Sequence, residues 1–169
     1  VYSSIDGMLC KNSPTGPDTL VYCPRGKVFK VINKDIAGKD AYYVLEIPSQ
    51  ITKIGSNAFN SFNNLSNVSY EEGEYKLHKI VFPSLMVEIG DHAFYKMPLL
   101  EEVVFNGDGT GKHSGLTIDA YAFARCPKLK TLTFEEEGKM EVDGTTYTYA
   151  ATSTCGVTEI GDYAFNSCA

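Results

Sequence analysis

Ile89-Gly90-Asp91-His92-Ala93-Phe94 is the most informative stretch of this chain, because close copies of it return along the sequence. The four copies begin at Ile54, Ile89, Ile118 and Ile160, and each ends in Ala-Phe. Self-similarity of this kind is typical of repeat proteins, in which each copy buries its apolar side against the next copy. The sequence therefore predicts a stack of similar units, with function on an extended surface.

Short stretches that alternate apolar and polar residues lie between the hexapeptides, as expected for half-buried strands. The predicted strands lie near residues 44–47, 66–70, 78–82, 101–105 and 130–134. Pro48 and Pro83 follow two of them, where proline ends a strand without removing an interior hydrogen bond. We expect parallel strands in one curved sheet, with the Ala-Phe turns behind it and the four Phe side chains stacked in register.

The spacing of these stretches predicts the length of the basic unit. Tyr42 to Leu65 and Leu77 to Leu100 are both 23 residues. Longer spacings elsewhere predict insertions after the strand and before the next hexapeptide, near residues 71–76, 106–115 and 135–156. Insertions at one point of a repeat project from one edge of the stack, and such edges often bind partners.

The repeat resembles a known family. Leu77 to Leu100 follows the pattern L-x-x-I-x-I-P-x-x-[VL]-x-x-I-G-x-x-A-F-x-x-C-x-x-L nearly completely, with Met97 at the Cys position. This resembles the BspA-type, or Treponema-type, leucine-rich repeat, and the match departs from it at Asp119, which replaces Gly.

The resemblance implies a β-rich α/β repeat solenoid over residues 42–169. Its curved parallel sheet carries short helical or irregular turns on the convex side. Residues 1–41 are similar to a β-hairpin module that accompanies these repeats, and we expect them to cap the first one. The same resemblance implies a bacterial protein that is secreted or displayed on the cell surface, although this chain shows no signal peptide. We also expect the chain to be a piece of a longer protein.

Composition argues against several classes of partner. The 169 residues carry a net charge of -6, which disfavours nucleic acid, since phosphate binding needs clustered Lys and Arg. No apolar run approaches the roughly 18 residues of a membrane span, so we expect no transmembrane segment in this chain.

Catalytic and metal motifs are missing from the sequence. It contains neither an H-E-x-x-H nor a G-x-S-x-G pattern, and no Cys/His cluster has zinc spacing. We therefore expect no enzyme activity, no catalytic residue, no cofactor and no metal. Cys126 and Cys168 are interpreted as small buried hydrophobic residues. Cys10 and Cys23 flank the hairpin loop, and whether they are bridged stays open.

Two functions remain: recognition of an extracellular protein or glycan, with a role in adhesion, or a passive spacer in a larger surface protein. Exposed tyrosines among Thr, Ser and Gly are typical of recognition loops, although a hairpin with these tyrosines on its buried face is equally compatible. Outward strand positions are chemically mixed and do not decide between the functions. The binding candidates are Tyr147, Tyr149, Glu102, Val104, Thr131 and Thr133.

Overall fold

A computed structural model of the chain describes residues 1–24, 26–32, 41–62, 77–107, 115–135, 137–142, 145–150 and 157–169. These ranges are rich in β-strands and contain one short 3-10 helix, Asn60–Phe62. The strands are β1 (Tyr2–Ile5), β2 (Met8–Ser13), β3 (Gly16–Tyr22), β4 (Lys30–Ile32), β5 (Tyr42–Glu46), β6 (Lys53–Ile54), β7 (Lys79–Phe82), β8 (Glu88–Ile89), β9 (Glu102–Asn106), β10 (Leu116–Ile118), β11 (Thr131–Glu135), β12 (Glu137–Val142), β13 (Thr145–Ala150) and β14 (Val157–Ile160).

Four of the predicted strands lie in a five-stranded sheet in the order β11-β9-β7-β5-β4, whose edge strand β4 was not predicted. Strands β5, β7, β9 and β11 are parallel, and Leu45, Ile80, Val103 and Leu132 stand at one register position. The parallel arrangement is confirmed for four of the five predicted strands. The fifth, near 66–70, falls outside the described residues.

Strand β5 pairs directly with β7, so no strand lies between them. Ile54 to Lys79 is 25 residues, whereas Ile89 to Glu102 and Ile118 to Thr131 are both 13. The extra residues of this repeat therefore lie between the hexapeptide and the next strand. The insertion predicted near residues 71–76 belongs to this longer stretch and lies outside the described residues.

A second sheet, which the sequence did not predict, joins the hexapeptides in the order β1-β2-β3-β6-β8-β10-β14. Its register aligns Leu20 with the first residue of every hexapeptide, in the order Leu20, Ile54, Ile89, Ile118, Ile160. Strands β1 to β3 are antiparallel, and β3 then pairs in parallel with β6. Backbone hydrogen bonds thus join the first segment to the repeats, while a domain boundary at residues 41 and 42 stays a prediction.

The Ala-Phe turns are irregular, for a reason visible in their hydrogen bonds. Within one turn, Ala93 donates its N–H to Gly90 and Tyr95 donates to His92. The intervening amides of His92 and Phe94 donate instead to Ala120 and Ala122 of the next repeat, at 3.2 and 2.8 Å. His92 has a φ of 54°, which interrupts a right-handed helix. Successive amides of the turn therefore donate alternately to a carbonyl of the same repeat and to a carbonyl of the next repeat.

The hydrophobic core runs along the stack from Met8 to Ala164. Ring centroids are 4.5 Å apart for Phe59 and Phe94, 5.1 Å for Phe94 and Phe123, and 5.3 Å for Phe123 and Phe165. The predicted in-register phenylalanine stack is therefore confirmed. The adjacent alanines at 58, 93, 122 and 164 are buried, which allows the turns to lie close together.

The cysteine positions of the repeat have a hydrogen-bonding role. The Cys126 thiol donates to the carbonyl of Phe94, and the Cys168 thiol donates to the carbonyl of Phe123, both at 3.2 Å. Cys126 is fully buried, as predicted, and Cys168 is partly exposed. Cys10 and Cys23 are buried and are not joined in a disulfide.

Candidate binding surfaces

The outward face of the five-stranded sheet carries four of the predicted contact residues. Leu45, Ile80 and Val103 pack in the core, so alternate residues of the same strands lie on the opposite face. In-register pairing arranges those residues in two rows. One row is Val44, Lys79, Glu102 and Thr131, and the other is Glu46, Val81, Val104 and Thr133.

Ion pairs link neighbouring strands across this face. Lys79 Nζ lies 3.1 Å from Glu102 Oε1, and their side chains are 24% and 29% exposed. At the β4 edge, Lys30 Nζ lies 2.6 Å from Glu46 Oε1. Such partly exposed pairs contribute about 0–1 kcal/mol each to stability. The charges on this face are therefore locally balanced.

Val104 does not offer the exposed surface that the sequence predicted. Its side chain is only 2% exposed, although it lies outside the core cluster. The physical reason is its position: β9 lies between β7 and β11, and Val81 and Thr133 flank Val104 within its row. Thr131 is exposed and Glu102 and Thr133 are partly exposed, so these three remain available.

A contact between a tyrosine and a histidine at the start of β5 was not predicted from the sequence. The rings of Tyr42 and His78 stack with centroids 4.9 Å apart, and the backbone N–H of Tyr43 donates to His78 Nδ1 at 3.1 Å. Burial, followed by the charges of Glu102 and Glu101, raises the pKa of the Tyr42 hydroxyl. Tyr43 and His78 occupy equivalent positions in two repeats, and this equivalence could have predicted that they lie close together.

A cavity of about 180 Å³ adjoins the same face near β4 and β5. Phe29, Val44 and Leu45 supply apolar walls. The charged lining residues are already paired, Lys27 with Asp6 and Lys30 with Glu46. This lining suits an apolar or weakly polar contact and contains no nucleophile with an adjacent base.

The two candidate tyrosines lie on a hairpin that forms a sheet of its own. Strand β13 pairs antiparallel with β12, with Tyr147 opposite Met140 and Tyr149 opposite Gly138. The hairpin follows β11 closely in the chain. The described backbone confirms a hairpin here, and the role of the two tyrosines stays a prediction.

Within the described ranges, no group of three or more His, Cys, Asp or Glu side chains is arranged to hold a metal ion. A helix with the length and apolarity of a membrane span is likewise not found among the described residues.

Comparison with known proteins gives a family and a structural neighbour. The sequence model of a protein family, the BspA type leucine rich repeat region, matches residues 42–169 in six copies. The crystal structure of the pneumococcal vaccine antigen PcpA is similar, with 18% sequence identity and a TM-score of 0.44. The match covers 99% of this chain and 37% of that chain. No curated protein matches.

Proposed function

The chain belongs to the BspA-type leucine-rich repeat family, and we propose that it is a non-enzymatic module that recognises an extracellular protein or glycan. The module would act in a bacterial surface or secreted protein. Its contact surface would combine Glu102, Thr131 and Thr133 with the hairpin that carries Tyr147 and Tyr149.

The observation that carries this proposal is the in-register outward face of the five-stranded sheet. Parallel pairing of β5, β7, β9 and β11 presents side chains in rows on a backbone fixed by continuous hydrogen bonds. The Lys79–Glu102 pair further restricts two long side chains. A surface that is ordered before binding loses less conformational entropy when a partner docks.

A stacked fold also supports recognition without catalysis. The large apolar side chains fill the interior, as in the buried phenylalanine stack, and this supports a function carried by the surface. The cavity beside β4 has its charged groups in ion pairs, and paired groups are poorly suited to proton transfer. Membership of this family supports a location at the cell surface or outside the cell.

A passive spacer in a larger surface protein is the second candidate function. The burial of Val104 and Val44, at 2% and 4% exposure, favours it, since apolar contact area is withdrawn from the outward face. The cross-strand ion pairs also favour a spacer, because charges that are already paired attract a binding partner less strongly. A spacer would bind nothing through this face.

The experiment is a binding screen of the purified domain against extracellular proteins and glycans, followed by substitution. In any complex found, Tyr147→Ala, Tyr149→Ala and Thr131→Ala should each weaken binding. Tyr2→Ala and Thr15→Ala are matched controls, because both residues are exposed, Tyr2 on β1 and Thr15 in the turn between β2 and β3. A loss under about 1 kcal/mol removes a residue from the hot-spot class, and absence of binding in a broad screen favours the spacer.

A further inference from the structure

The hexapeptide turns carry a second surface, formed by the fourth residue of each copy. These residues are Asn57, His92, Tyr121 and Tyr163. Ring centroids are 4.8 Å apart for His92 and Tyr121 and 5.2 Å for Tyr121 and Tyr163, and both pairs are stacked. We name His92, Tyr121 and Tyr163 the aromatic strip. It continues over three repeats outside the buried phenylalanine stack.

The backbone conformation at the strip positions does not favour large aromatic side chains. All four residues have a left-handed φ, between 54° and 59°. Asn adopts this conformation more readily than a large aromatic residue, and Asn57 occupies the position in the first copy. Within the stack, the His92 side chain is 32% exposed and Tyr121 is partly exposed. Bulky rings at strained, solvent-accessible positions point to a use beyond folding.

Carboxylates lie along one side of the aromatic strip. The acidic row consists of Glu88, Asp91, Asp119, Glu159 and Asp162, and Glu88 Oε2 already lies 2.8 Å from Lys53 Nζ. Asp91 Oδ2 lies 2.8 Å from His92 Nδ1, which joins the row to the strip. Burial and the charges of Glu88, Asp91 and Glu159 raise the pKa of the Asp119 carboxyl, so these carboxylates repel one another. A bound cation relieves such repulsion.

Cations already contact an aromatic ring beside the strip. Lys96 Nζ lies 5.2 Å from the centroid of the Tyr95 ring, and the Arg125 guanidinium carbon lies 5.9 Å from it. The ring of Tyr95 in turn meets His92 edge-on at 4.9 Å. Aromatic faces within about 6 Å attract Lys and Arg, and Arg also stacks on them.

We propose that the aromatic strip and the acidic row together form a docking surface for a basic segment of a partner protein. Arg or Lys side chains of that segment lie against the rings of Tyr121 and Tyr163 and pair with the neighbouring carboxylates. Five carboxylates against Lys53, Lys96 and Arg125 leave this surface net acidic, so charge complementarity selects a basic occupant over an acidic one. The surface belongs to the turns and does not involve the outward face of the five-stranded sheet.

The test measures binding of a fluorescently labelled oligo-arginine peptide by anisotropy at about 0.15 M salt. The main variant combines His92→Asn, Tyr121→Asn and Tyr163→Asn, because Asn is the residue that the first copy already carries in this conformation. Tyr2→Asn is the matched control, since Tyr2 is an exposed tyrosine on β1, away from the strip. A second variant, Asp91→Asn with Asp162→Asn, removes charge and leaves the rings.

We expect the wild type to bind the peptide, and both combined variants to weaken binding at least about tenfold, which corresponds to about 1.4 kcal/mol. Tyr2→Asn should bind as the wild type does, and an oligo-glutamate peptide should not bind.

Lack of oligo-arginine binding by the wild type overturns the proposal. Equal binding by the triple Asn variant, or an equal loss in Tyr2→Asn, also overturns it. If the triple Asn variant unfolds, the test rests on the variant that combines Asp91→Asn with Asp162→Asn. Unchanged peptide binding by that variant refutes the proposal.

Discussion

Phe59 and Phe94 lie 35 positions apart in the chain, and their rings stack with centroids 4.5 Å apart. Phe94 and Phe123 are 29 positions apart, and Phe123 and Phe165 are 42 apart, yet their centroid distances are 5.1 and 5.3 Å. The distance between repeats is therefore independent of the number of residues between them. The hexapeptides determine the stack, and segments of variable length leave it unchanged.

Phe94→Ala should lower the free energy of unfolding by about 3–5 kcal/mol. Phe94 is fully buried between Phe59 and Phe123, so its removal loses transfer free energy and leaves a cavity. His92→Asn, two residues earlier, is the control and should change stability by at most about 0.5 kcal/mol. Urea unfolding of both variants provides the measurement, and similar midpoints would contradict the assignment of buried and exposed positions.

Gly90→Ala should destabilise the protein by at least about 2 kcal/mol, because added volume strains a packed interior. A Cβ at Gly90 would lie 2.7 Å from the backbone N of Ser56 and 2.9 Å from the carbonyl O of Ile54. Backbone atoms of the preceding repeat cannot move aside as a side chain can. Gly26→Ala is the control, since nothing lies within 4 Å of its added Cβ. Thermal unfolding that shifts equally in both variants would show that the repeats do not approach this closely.

Asp119→Asn should stabilise the protein at neutral pH and have little effect in acid. Burial, then the charges of Glu88, Asp91 and Glu159, raise the pKa of the Asp119 carboxyl in the folded state. Its contribution to stability is therefore complete below the unfolded-state pKa, near 3.9, and is lost as the pH rises through the folded-state pKa. The Tm difference between variant and wild type should grow between about pH 3 and pH 7. A difference that stays constant over this range would contradict the prediction.

Cys126 should be unreactive in the folded protein. Burial raises the pKa of its thiol to about 12, and the thiol donates a hydrogen bond to the carbonyl of Phe94. Because the thiolate is the nucleophile, alkylation by iodoacetamide at pH 8 should be at least about a hundredfold slower than in urea-unfolded protein. Peptide mapping by mass spectrometry follows this residue separately from the other cysteines. Equal rates in native and unfolded protein would show that the position is open to solvent.

The repeat pattern was sufficient to predict the residues that face the interior. The Ala-Phe pair that ends each hexapeptide was predicted to form closely packed turns with a stack of Phe side chains, and Ala93 and Phe94 are fully buried. Such positions can be predicted from short stretches of sequence, because apolar residues at a fixed spacing lie on the same face of the repeat and that face is buried. The parallel strands at β5, β7, β9 and β11 follow from the same periodicity.

The candidate contact surface was only partly predictable. Glu102, Thr131 and Thr133 share the outward face, as strand alternation predicts. Val104 shares that face but is buried, because exposure depends on neighbours in adjacent strands and not on alternation alone. The aromatic strip escaped prediction because His92, Tyr121 and Tyr163 are far apart in the chain and meet only when the repeats stack.

The sequence by itself determined the repeat, its buried phenylalanines and the parallel direction of its strands, since periodic apolar residues permit few other arrangements. Only the tertiary structure decided that β5 pairs with β7 across a long insertion, and that two-residue strands such as β6 and β8 form a second sheet. It also decided the left-handed backbone at His92. Each of these features depends on backbone hydrogen bonds between repeats, which leave no signal in the local sequence.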